Sequence, residues 1–159
     1  MGSVMDLIAG DKRDIVLALA IEDVAAFTDP DRFTAHLSLG ETLDPTWLDL
    51  FSEAARGLGN AVDTGEPVDF CDARSNLVGV RVATERILER VDPAWCVAVG
   101  RVSDAQFDAL AERWLNLLEE EFGPLPRDEK PSIRDLAERI VRFARAAEGA
   151  RDVVFAWGF

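Results

Sequence analysis

Two stripes of apolar side chains at helical spacing, both in the last third of the chain, constrain its fold more than any other feature. Phe107, Leu110, Ala111, Trp114, Leu118 and Phe122 recur three and four residues apart. A helix built on them has one apolar face that must be covered. Ser103 and Gln106 precede the stripe at the spacing of a capping box, in which each side chain satisfies a backbone group at the helix start. Gly123-Pro124 stops the helix and 125–130 reads as a linker. Pro131 or Ser132 then opens a final helix with Ile133, Leu136, Ile140, Phe143, Ala144 and Ala147 on one face. Asp135–Arg139 and Glu138–Arg142 are expected as i,i+4 pairs on the other face, each contributing about 0.3–0.5 kcal/mol. Gly149 ends this helix, and Val153, Val154, Phe155 and Trp157 follow as a strand.

The earlier sequence supplies the layer against which such helices pack. Ala35, Leu37 and Leu39 alternate with His36 and Ser38, the period of a half-buried strand, and Gly40 closes it. Asp44-Pro45 and Asp92-Pro93 are helix starts, an acceptor side chain followed by proline in the first turn. Trp47, Leu48, Phe51, Ala54 and Ala55 form the apolar stripe after the first of these, which Gly57 and Gly59 close before a surface loop running to Pro67. Trp95 follows the second start as Trp47 follows the first, but the flanks do not align, so this is no repeat. The continuous run Ile15–Ile21 reads as a buried strand, with Glu22-Asp23 opening a short helical turn through Phe27 and Asp29-Pro30-Asp31 a turn. Val68–Cys71 and Val78–Val82 read as short strands, 72–76 as the turn between them and Ala83–Arg90 as helical. The expected architecture is α+β: four or so amphipathic helices on a small mixed or antiparallel sheet, in a single domain over 1–159.

From Val91 to Phe159 the chain resembles the YfbM-like domain-of-unknown-function family of small bacterial proteins. The residues carrying the resemblance are the Asp92-Pro93 helix start, the helix through Trp114 to Glu119-Glu120-Glu121, the Ala- and Arg-rich stretch Phe143–Ala147 and the apolar end Val153–Trp157. The resemblance covers under half the chain. It implies an α+β domain and carries no activity or functional residue with it. Fifteen arginines against two lysines, with many alanines, fit a GC-rich bacterial source.

Charge narrows the partners. The net charge is −13, and it is uneven: residues 1–72 hold 15 acidic and 4 basic side chains, whereas residues 73–159 hold 15 and 13. Residues 131–159 stand at +1. Nucleic acid and anionic membrane surfaces both need basic neutralisation, so neither is an expected partner. No apolar run approaches the roughly 20 residues of a membrane-spanning helix. Met1–Gly10 lacks the basic start of a signal peptide, so a cytoplasmic location is expected. A one-signed region steers a partner of opposite charge, although solubility alone also explains acidity. The acidic segment 41–72 has eight acids and only Arg56 opposing them. The residues expected to bind are Glu41, Asp44, Trp47, Asp49, Glu53, Asp63, Glu66, Asp69 and Asp72. The four tryptophans, Trp47, Trp95, Trp114 and Trp157, are expected to pack the core, with partial exposure open to Trp47 and Trp95 in the first turns of their helices.

Signatures of chemistry are sparse. His36 is the only histidine, so any catalytic triad must use it, with Glu41 as a neighbouring acid to orient it. Cys71 and Cys96 read as buried thiols rather than a disulfide, and one histidine with two distant cysteines does not make a zinc site. Carboxylates that could hold a hard cation are Asp69 with Asp72, and Glu119–Glu121, where acid at a helix end opposes the macrodipole. No EF-hand loop and no P-loop occurs, and no cofactor is implied. Gly57 and Gly59 follow a helix rather than a strand, so they are its cap and not a dinucleotide fingerprint. The leading expectation is a protein-binding or interaction domain, inhibitor- or immunity-like, whose acidic surface meets a basic protein or a second copy. The alternative is a small hydrolase or ligand-binding enzyme, with a pocket gathering His36, Arg74 and Asp69 or Asp72.

Overall fold

A computed structural model of the chain describes residues 4–40, 45–56, 58, 69–76 and 86–158. Its strands are β1 (Val4–Gly10), β2 (Phe33–Gly40), β3 (Arg74–Asn76), β4 (Ile87–Val91) and β5 (Asp152–Gly158). They form one sheet in the order β2-β1-β5-β4-β3, and every neighbouring pair is antiparallel. The helices are α1 (Lys12–Ala20), α2 (Thr46–Arg56), the single turn α3 (Phe70–Ala73), α4 (Pro93–Gly100), α5 (Phe107–Phe122) and α6 (Lys130–Ala146). The α+β class is as expected, in one domain, with slightly more helices than four among the described residues.

The larger core lies on one face of the sheet. Met5, Leu7, Leu37, Leu39, Val91, Val153 and Phe155 point from the strands into α2, α4, α5 and α6. Aromatic rings fill its centre edge to face: Trp114 against Phe51 at 5.1 Å, and Phe70 against both Trp95 at 5.0 Å and Phe155 at 5.2 Å. Buried indole N–H groups need acceptors. Trp95 Nε1 donates to Ser52 Oγ at 2.8 Å, and Trp114 Nε1 to the Trp47 carbonyl at 2.9 Å. Trp95 is fully buried, packing the core as expected, with its indole reaching across to α2.

The helix signals of the last third hold closely. Ser103 and Gln106 make both halves of the capping box, and the Gly123 N–H bonds the Glu119 carbonyl at 2.9 Å with Gly123 at φ 88°. Asp92 caps α4, accepting from the Ala94 N–H at 2.9 Å. On α6, Glu138 takes both Arg134 and Arg142, whereas the expected Asp135–Arg139 pair does not form among the described residues. Arg145 ties α6 to the end of α4 and to the turn that leads into α5, donating to the Gly100 carbonyl at 3.1 Å and to Asp104 at 2.7 Å.

Four expectations for the stretch from Ile15 to Arg90 are corrected. Ile15–Ala20 lies in the helix α1, with Ile21 as its C-cap. Asp11 caps it, accepting from the Arg13 N–H at 2.9 Å, and Ile15, Ala18 and Leu19 are buried three and four apart against the second face of the sheet. Val4–Gly10, not singled out as a strand, is β1. Phe70 and Cys71 belong to the helical turn α3 rather than a strand, and Arg74–Asn76 is a strand rather than a turn. Ile87–Arg90, expected as helical, is β4. The expected strand Val78–Val82 lies outside the described residues, as do Gly57 and Gly59–Pro67.

The second face is covered by α1 and a 3-10 turn, Val24–Thr28. They bury Ile8, Leu88, Val154 and Ala156 of the sheet with Ala26, Phe27 and Phe33. α1 ends in a Schellman-type closure, the Asp23 N–H bonding the Ala18 carbonyl at 2.9 Å and the Glu22 N–H the Leu19 carbonyl at 3.2 Å. Glu22 thereby takes the left-handed conformation, φ 57°, which costs a residue with a Cβ about 1 kcal/mol. Glu22→Gly is expected to raise the unfolding free energy by about 0.5–1 kcal/mol in urea titration. An unchanged or lowered value contradicts this reading of the turn.

Candidate functional site

Two places gather polar side chains from distant parts of the sequence. The first is a charged cluster on the second face. Asp6, in the middle of the apolar strand β1, is only 5% exposed. Its Oδ1 lies 2.9 Å from His36 Nε2 on β2, and its Oδ2 lies 3.1 Å from an Arg86 guanidinium nitrogen just before β4. The His36 ring also stands 5.1 Å from Phe27. His36 does point away from the Leu37 face, as its alternation demands, but it meets Asp6 and the α1 layer there, half-buried. Asp6, and not Glu41, is the acid that holds it. A lone acid inside an apolar strand was the available signal for Asp6; nothing local pointed to Arg86.

The second place is a cleft of about 630 Å³ on the helix face, within the usual range of binding pockets, ~300–1,000 Å³. Leu39 at the end of β2 and Trp47 in the first turn of α2 form one side. The start of α6 forms the other, with Ile133 and Leu136 as apolar floor and Glu129, Ser132, Asp135 and Arg139 around the rim. Trp47 is half-buried, its ring 6.0 Å from Trp114 and 6.3 Å from Phe122. The amphipathic register of α6 makes this wall: Ala137, Ile140 and Val141 turn into the core, which leaves Asp135 and Arg139 at its margin.

The residues expected to react do not come together. His36 and Arg74 stand on β2 and β3, the opposite edges of the sheet. They also occupy opposite faces, because Arg74 lies over the rings of Phe70 and Phe155 and pairs with Glu89 at 3.4 Å. Trp157 Nε1 donates to the same Glu89 at 3.0 Å. Asp69 forms an ion pair with Arg56, and Asp72 lies in α3. Of the expected binding residues, Trp47 enters the cleft, and Asp49 and Glu53 lie on α2. Glu41, Asp44, Asp63 and Glu66 lie outside the described residues. Among the described residues no three His, Cys, Asp or Glu side chains converge as a metal site.

The charge asymmetry is partly cancelled across the fold. Acids of the first half pair with arginines of the second, Asp6 with Arg86 and Asp11 with Arg151 at 3.1 Å each. The Arg13 backbone N–H, with Arg151 beside it, holds the Asp11 carboxyl below its usual range. Asp14, Glu22, Asp31 and Glu53 make no ion pair among the described residues and face solvent. The cysteines are not joined. Cys96 is buried, and burial, reinforced by the charge of Asp92, pushes its thiol up to about 12, so it supplies no thiolate near neutrality. Cys71 is exposed rather than buried as expected, because α3 turns it outward. No described helix is long and apolar enough to cross a membrane.

Removing Asp6 leaves two cationic or hydrogen-bonding partners stranded in a largely buried site. Asp6→Ala is expected to cost about 2–3 kcal/mol in urea unfolding. His36→Leu should cost less than half of that, since Asp6 keeps Arg86. The reverse order would mean that His36, not Asp6, organises the cluster. No family model matches the chain, and no curated protein and no solved structure matches it either.

Proposed function

We propose that this protein is an interaction domain, inhibitor- or immunity-like, that binds a basic partner protein with the cleft beside β2 as its contact point. The observation that carries this reading is the cleft itself: an apolar lining of Leu39, Trp47, Ile133 and Leu136 with two acids, Glu129 and Asp135, against one base, Arg139, at its rim, in a chain of net charge −13. Apolar anchors inside a charged rim are what a specific contact needs, the anchors for affinity and the rim for orientation and rate. The chain joining Leu39 to Trp47 carries Glu41 and Asp44 in its sequence, which adds to the acidity of the segment that supplies one wall. The competing hydrolase reading has His36 and Asp6 within hydrogen-bond distance in its favour. Neither Arg74 nor the described cleft accompanies them, so it is the weaker of the two. The YfbM-like resemblance of Val91–Phe159 suits either, since it carries no activity.

Selection of displayed random 12-residue peptides against the protein tests this reading. The expected winners carry a net positive charge with at least one bulky apolar residue. Their affinity should fall by about 10-fold or more between low and high salt, because exposed opposite charges are screened. Neutral or acidic winners, salt-insensitive affinity, or no enrichment at all would overturn it.

A further inference from the structure

The cleft lies beside an open sheet edge. β2 stands at the end of the strand order, and among the described residues it pairs only with β1. Natural edge strands are usually protected by a lysine, a proline, an inward charge or a bulge. From Phe33 to Gly40 the strand has no Lys, Arg, Asp, Glu or Pro. Its register irregularities against β1 fall opposite its two ends, leaving Ala35 to Ser38 in regular pairing. Thr34 and Ser38 are exposed along it. The same strand sends Leu39 into the cleft, whose other wall is α6.

From these two features together, and resting on the binding reading above, we infer that β2 accepts an extended basic segment of the partner as a sixth strand. Backbone pairing to the outer edge of β2 places the segment about 4.8 Å away, with alternate side chains toward the helix face. Those side chains enter the cleft against Trp47, Ile133 and Leu136, while a Lys or Arg of the segment meets Glu129 or Asp135. Charge decides the occupant. A second copy pairing β2 to β2 would bring together two chains of −13 each, and like charges at close range oppose that. A basic segment gains from the same charge.

The test uses the unaltered protein and the tightest basic peptide from the selection. Two versions of it are made, N-methylated on one or the other alternate set of backbone amides. A strand donates to its neighbour through only one set. One version is expected to lose at least about 10-fold in affinity, from the lost backbone hydrogen bonds. The other should stay within about 2-fold of the parent. Equal affinity of both versions would overturn strand addition while leaving the binding reading intact. Failure of the parent peptide itself to bind in solution would overturn both. The exposed rim substitution Asp135→Lys locates the segment: a loss of about 5-fold or more is expected, and unchanged affinity would place the segment elsewhere and overturn the assignment to β2.

Discussion

The fold depends on one strand reaching the middle of the sheet. β5 pairs along its whole length with β1, from Gly10 opposite Asp152 to Val4 opposite Gly158, and on its other side with β4. Without it the sheet separates into the β2-β1 pair and the β4-β3 pair. Neither two-stranded piece holds an apolar face with enough cover to be stable alone. Because both faces of β5 are covered, four consecutive residues, Val153 to Ala156, are buried. Phe155 turns to the large helical core, and Val154 and Ala156 to the smaller core under α1. The last residues of the sequence therefore join elements from its beginning to elements from its middle.

The same arrangement explains where the charge goes. Placing β1 beside β5 draws Asp11 and Lys12 to the neighbourhood of Arg151 and Asp152. Placing β4 one strand further brings Arg86 over Asp6. A buried carboxylate is tolerable only with partners, and Asp6 has two of them, from sites 30 and 80 positions away in sequence. The acidity of the first half is thus not one uninterrupted field. Part of it is consumed inside the fold, and among the described residues what faces solvent without an ion pair is Asp14, Glu22, Asp31 and Glu53.

Local features were legible in the sequence, and long-range ones were not. The capping box at Ser103, the proline-led start at Asp92 and the stripes of α5 and α6 act over four or fewer residues, so their positions follow from chemistry alone. β2 was legible because its apolar residues alternate. β4 was misread for a physical reason: Leu88 and Val91 are buried three apart, as on a helix, because each serves a different core on opposite faces of the strand. Ile15–Ile21 is apolar without a period, and the decisive signal, Asp11 as cap, lay just outside it. The cleft was half legible. Trp47 was picked out from its place in a first turn, but its opposite wall begins more than 80 positions later, and nothing in a linear pattern couples the two. His36 drew notice as the only histidine, yet its partners Asp6 and Arg86 became identifiable only through the sheet order.

The proposed interaction needs no moving part: the edge of β2, which among the described residues pairs only with β1, and the preformed cleft beside it suffice. Backbone pairing supplies affinity that is indifferent to side chains, and the hollow supplies selectivity. Amide hydrogen exchange tests this account most directly, measured on the protein alone and saturated with a selected basic peptide. The account predicts new protection at alternate outward-facing amides of Phe33–Gly40, with Trp47 and the first turns of α6 protected less and the β3 edge unchanged. Protection centred on α1 or on β3, with the β2 amides exchanging as in the free protein, would contradict it.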